Sequence, residues 1–184
     1  MNKVYLIHGY GGWPNGAWRT SVIKTLEQKE VYACALPMPS SEDLILDDWI
    51  EEIARVVKKD KNHKVFLIGH SLGSTTILRF LEKSNLKVEG VILVSCLIKP
   101  VENKAIGSFV SNSFDFEKIK QNSKNFVVIH GKNDSRVPFE QGKELASKLE
   151  CRLIEIENGG HLTGSEGWKK FPQVIKVLEE MGCF

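Results

Sequence analysis

Short apolar runs alternate along the chain with longer stretches whose apolar residues recur at helical spacing. Residues 4–8, 31–36, 65–68, 88–95, 126–130 and 153–156 are β-rich runs of strand length, several ending at a glycine or a proline. Residues 47–58 read as a helix, with Leu46, Ile50, Ile53 and Val57 on one face. Residues 72–82 follow, with Leu72, Thr76 and Phe80 in line, then residues 139–149. A last helix is predicted over 168–181, with Phe171, Val174, Leu178 and Met181 facing inward. Strands alternating with helices predict an α/β fold, a six-stranded and mostly parallel sheet covered by helices on both faces. The nearly continuous apolar character of the strands suits burial from both sides. One long irregular stretch, residues 97–125, stands as an insertion after the fourth strand, with a short helix near 116–121. Stretches of this kind often serve as caps. The chain is thus expected to form one domain over 1–184 with a short cap-like insertion at 97–125.

Composition narrows the function classes. The 184 residues are 42% hydrophobic and 26% charged with a net charge of +2, which suits a globular fold. The Lys and Arg residues are interspersed with Asp and Glu, so no nucleic-acid partner and no membrane partner is expected. Four cysteines show no C-x-x-C pair and no zinc spacing, so no metal site is expected. The start of the chain lacks a signal-like segment, and a cytoplasmic setting with reduced thiols is the expectation.

In a parallel sheet ligands bind beyond the carboxyl ends of the strands, so the polar residues just after each strand matter most. The third strand is followed by Gly69-His70-Ser71-Leu72-Gly73, a G-x-S-x-G between strand and helix. That is the setting of a nucleophile elbow, in which a tight turn lifts the serine oxygen clear of the backbone. The fifth strand leads to Asp134, which taken alone would more often be a turn or capping residue. The sixth leads to Gly159-Gly160-His161, and a loop histidine in isolation is as often simply solvated. The combination carries the argument. Ser, Asp and His follow in that order, each beyond a different strand, as α/β-hydrolases arrange their triad. An oxyanion hole would use the N–H of Leu72 and that of Tyr10, with Gly11 as the alternative. The Gly9-to-Gly12 loop does not suit a dinucleotide phosphate, because Pro14 stands where a third glycine is needed. His8, His70 and His130 border strand ends and are expected to pack or hydrogen-bond around the site. Trp13, Phe109 and Phe114 are candidate substrate-binding residues, although aromatic packing explains them equally well.

His8-Gly9, the Gly69-to-Gly73 elbow, Asp134-Ser135-Arg136-Val137-Pro138 and Gly159-Gly160-His161 together resemble a family of small serine hydrolases. It includes bacterial YdeN-type proteins and the retinoblastoma-binding serine hydrolase. Met38-Pro39 with Asp48-Trp49, and Phe116-Glu117-Lys118-Ile119, extend the resemblance over essentially the whole chain. It implies a pared-down α/β-hydrolase with strand order 2-1-3-4-5-6, and it maps the family triad onto Ser71, Asp134 and His161. An L-x-C-x-E retinoblastoma-binding motif is not matched, since Leu149-Glu150-Cys151-Arg152 is followed by Leu153.

The sequence therefore predicts a serine hydrolase, esterase-like, cleaving small acyl esters through an acyl-enzyme without metal or organic cofactor. The expected partner is a small acyl substrate, and no protein partner is defined. The alternatives are a binding protein on a hydrolase fold, and an amidase or peptidase with the same triad.

Overall fold

Alternation along each strand divides the apolar residues between two cores. The computed structural model describes residues 1–39, 44–123 and 125–184. Its six strands are β1 (Asn2–Ile7), β2 (Tyr32–Ala35), β3 (Lys64–His70), β4 (Gly90–Val94), β5 (Phe126–Gly131) and β6 (Arg152–Ile156). They form one sheet in the order β2-β1-β3-β4-β5-β6, every neighbouring pair parallel. Val4, Leu6, Phe66, Ile68, Ile92 and Val94 face one side, against α1 (Arg19–Glu27) and α7 (Pro172–Glu180). Tyr5, Ile7, Leu67, Val91 and Leu93 face the other, against α2 (Leu46–Lys59), α3 (Leu72–Lys83) and α6 (Phe139–Leu149). This is the period-2 geometry of a strand buried on both faces.

Two elements depart from the apolar pattern. The pattern does not mark α1, in which only Arg19, Val22 and Leu26 are buried. The last helix starts at Pro172 and not at 168, with Phe171 as its N-cap. Proline disfavours helical backbone in the residue before it and is itself well placed in a first turn, so Phe171 cannot continue a helix from Trp168. Trp168 instead donates its indole N–H to Gly159 O at 2.8 Å.

The insertion between β4 and β5 folds onto α3 as a short turn of helix, α4 (Gly107–Val110), and then α5 (Phe116–Asn122). Arg79 of α3 fastens it. Its guanidinium donates to the carbonyls of Phe109, Asn112 and Ser113, pairs with Glu82, and lies 3.6 Å from the centre of the Phe114 ring. Among the described residues no helix is long and apolar enough to cross a membrane, and the four cysteines are free. All six strands end at the same edge of the sheet, and the chemistry-bearing residues gather there.

Candidate active site

The turn from β3 into α3 is made possible by close approach. A methyl group at Gly73 would collide with the carbonyl oxygens of Ile7 and His8, so only glycine lets α3 begin tight against β1. Ser71 sits at the crest with φ 54° and ψ −122°, a strained backbone for a residue with a side chain. Its N–H donates to Val94 O at 2.8 Å, which fixes the crest to the neighbouring strand. Ala17, Ser95 and Leu162 also have positive φ and border the same site, so backbone strain clusters there.

The structure brings the three predicted residues into one relay. The Ser71 hydroxyl lies 2.9 Å from His161 Nε2, and His161 Nδ1 lies 2.8 Å from Asp134 Oδ2. Because Nδ1–H donates to the carboxylate, Nε2 of the neutral ring is left to accept the serine proton. Asp134 Oδ1 accepts the backbone N–H groups of Arg136 and Val137 at 2.9 and 3.0 Å. Burial opposes ionisation of Asp134, yet its hydrogen bonds with His130, His161 and the Val137 backbone outweigh this and hold the carboxyl well below the usual range.

Supporting groups position the imidazole through its backbone. His70 Nε2 donates to the His161 carbonyl at 2.8 Å, and Ser95 Oγ donates to the same oxygen at 3.3 Å. Burial, with a smaller contribution from His161, pushes His70 down to about 3, so His70 stays neutral. Glu166 accepts the His161 N–H at 3.0 Å and closes a capping box with Thr163. Asn133 accepts the N–H of Gly160 at 2.8 Å. Glu166 and Asn133 went unread in the sequence. Thr163 with Glu166 three residues on was an available signal, as a T-x-x-E capping box.

The loop after β1 closes the other side. Gly12 N donates to Gly9 O, leaving Tyr10 and Gly11 at the bend. A methyl at Gly9 would come within 2.9 Å of Ser71 Cβ, so the Gly9–Tyr10 peptide lies directly beside the nucleophile. Among the described residues neither Tyr10 N–H nor Leu72 N–H donates to the protein backbone. His8 Nδ1 donates to Gly9 O, and its ring meets Trp49 edge-on at 5.6 Å. Trp49 in turn donates to Pro39 O, so the Met-Pro and Asp-Trp segments brace the loop from beneath.

The relay opens into a cleft of about 1170 Å³, and Trp13 stands on its rim, 76% exposed. Two candidate substrate contacts are corrected. Phe109 is fully buried in the core against Trp49 (5.7 Å), and Phe114 stacks on Arg79 and Phe116. Neither lines the cleft, because Phe109 turns toward Trp49 of α2 and Phe114 toward Arg79 of α3, where apolar surface is removed from water. Val101, Asn103 and Ile106 form that wall instead.

Comparison with known proteins finds relatives over nearly the whole chain. The family model described as serine hydrolase matches residues 4–180. The YdeN protein of Bacillus subtilis is 35% identical over 179 residues, covering 96% of this chain and 94% of its own. The crystal structure of that gene product superposes with a TM-score of 0.93 at 34% identity over the whole of both chains. The serine hydrolase RBBP9 of Rattus norvegicus is 28% identical over 177 residues, covering 95% of this chain and 87% of its own. Est1E of Butyrivibrio proteoclasticus, solved with ferulic acid bound, shares the fold at a TM-score of 0.75 and 16% identity, covering 97% and 90% of the two chains.

Proposed function

This chain belongs to the serine hydrolase family, and on that premise we propose that it hydrolyses small acyl esters with Ser71, His161 and Asp134 as its catalytic triad. The observation that carries the reading is the unbroken relay from Asp134 through His161 to Ser71, at 2.8 and 2.9 Å. Ser71 Oγ attacks the acyl carbonyl while His161 Nε2 takes its proton. Asp134 stays ionised, holds the productive tautomer and stabilises the imidazolium. The Leu72 and Tyr10 N–H groups receive the oxyanion, which costs no rearrangement because neither is engaged by backbone. His161 then returns the proton to the leaving alcohol, and a water deprotonated by the same nitrogen releases the acid and regenerates Ser71. No step calls for a metal or organic cofactor. The free thiols suit a reducing cytoplasm, where we place the enzyme.

A fluorophosphonate probe and a panel of short-chain nitrophenyl esters test this together. The protein should be labelled at Ser71 and turn over esters, and Ser71→Ala should abolish both. Absence of labelling and of Ser71-dependent turnover on every ester would favour a binding protein on a hydrolase fold.

A further inference from the structure

One cation in the cleft has no part in the chemistry above. Arg19 opens α1, is only 4% exposed, and lines the same cleft as Ser71, His70 and His161. Guanidinium groups so deeply enclosed are usually paired with a carboxylate, because an uncompensated charge away from water is costly. Among the described residues Arg19 has no such partner, and burial alone brings it down to about 10, which leaves it charged at neutral pH. Its Nε donates to Pro14 O at 3.2 Å and its Nη2 to Trp13 O at 2.7 Å. These bonds fix the plane of the guanidinium and leave Nη1 without a protein acceptor among the described residues. A second arginine, Arg136, lies exposed on the wall beside Ser135 and Val137. Glu102 is the only carboxylate among the cleft-lining residues described.

From this arrangement we infer that Arg19 determines specificity, and that the favoured substrates are esters bearing a carboxylate that pairs with its unoccupied edge. The inference rests on the ester-hydrolysis reading and names its substrate class. A guanidinium held rigid by two backbone carbonyls is preorganised for a carboxylate, since the fork need not be ordered again on binding. The loop bonds alone do not account for the charge. They could be made by a neutral donor, and they leave the positive charge uncompensated until an anion arrives. A charged substrate also suits a cleft lined in part by Asn103, Ser135, Thr163 and Ser165. The carboxylate can belong to the acyl chain or to the leaving alcohol, and the two arms of the test separate these.

In the acyl arm, the nitrophenyl monoester of glutaric acid is compared with the nitrophenyl ester of glutaric monoamide, its neutral counterpart of the same shape. In the leaving-group arm, the acetate ester of hydroxybenzoic acid is compared with that of hydroxybenzamide. Each rate is corrected for hydrolysis in buffer. Wild type should favour the carboxylate member of one arm by about tenfold to a hundredfold in kcat/KM, the span of one charge-assisted hydrogen bond. Arg19→Gln should bring that ratio close to one, Arg19→Lys should keep part of it, and Arg136→Gln should keep all of it. No preference in either arm with wild type overturns the inference. So does a ratio that survives Arg19→Gln, or one that collapses in Arg136→Gln. Should Arg19→Gln fail to fold, competitive inhibition by glutarate against glutaramide, its neutral diamide, in wild type and Arg19→Lys decides in its place. Equal inhibition by the two compounds, or a glutarate preference undiminished in Arg19→Lys, counts against Arg19. Failure of the hydrolase reading itself looks different: neutral esters would then show no Ser71-dependent turnover.

Discussion

His70 should make the protein measurably weaker in mild acid. The folded state keeps this buried ring neutral down to about pH 3. The unfolded chain protonates it near the reference value of ~6.5. Between those values the unfolded state binds the extra proton, so stability falls as pH falls through the window. The loss approaches about 1.4 kcal/mol per pH unit once the unfolded ring is mostly charged. With partial protonation near the reference value included, the step from neutral pH to two units below is about 2 kcal/mol. In urea, with a slope of about 2 kcal/mol per molar, the midpoint should move by about 1 M more in wild type than in a protein lacking this group. His70→Gln is the comparison, because its amide can still donate toward the His161 carbonyl but does not titrate. His8, whose proton affinity burial also lowers, remains in both proteins and cancels. Asp134 lies outside the window. Its depressed pKa contributes stability that is complete above the unfolded carboxylate value of ~3.9 and is lost only below it. Urea unfolding followed by tryptophan fluorescence at both pH values reads the effect. Equal midpoint shifts in wild type and His70→Gln would refute the assignment of a neutral, enclosed His70.

Ser71→Ala and His161→Ala should each lower kcat by roughly 10⁴ to 10⁶, and the double variant should be hardly worse, because the groups act as a unit. Asp134→Asn should cost on the order of 10⁴ through the wrong imidazole tautomer, and near-full activity would remove Asp134 from the relay. Phe109→Ala should destabilise the fold by about 3–5 kcal/mol in urea titrations while leaving the order of preference among acyl chains unchanged, as befits a core residue. Turnover should vary smoothly with concentration through the solubility limit of a long-chain ester, since the insertion is fastened by Arg79. A jump on emulsification would show a lid that opens at interfaces.

The six strands and the three relay residues were legible because they follow from patterns with a physical basis, whereas the strand order came from the family resemblance. Apolar runs of strand length need burial on both faces, and glycines bracket Ser71 where backbone must meet backbone. His161 was legible for its position after β6 and its place in the order Ser, Asp, His. What stayed hidden acts through backbone atoms or by chance of enclosure. Ser95 and Asn133 position the loop by bonding to main-chain groups, which leave no mark on spacing, while Glu166 left one only in its T-x-x-E spacing from Thr163. Helix α1 was missed because its buried face is small and includes Arg19, a charged residue that reads as surface. Phe109 and Phe114 looked like pocket residues because an irregular segment gives no period from which to tell which way a side chain turns. Only the docking of that segment on α3, through Arg79, settles their direction.

The backbone of Ser71 carries a further consequence. A side chain at φ 54° and ψ −122° is held where glycine would rest more easily, at a cost on the order of 1–3 kcal/mol. Two selections applied to one library of variants at position 71 should therefore diverge. Enrichment for folded protein, for instance by protease resistance, should favour glycine over the native serine. Enrichment for ester turnover should return serine alone. At this one residue the demands of persistence and of reactivity point to different amino acids, and a lineage released from the need to hydrolyse would be free to drift toward the sturdier choice.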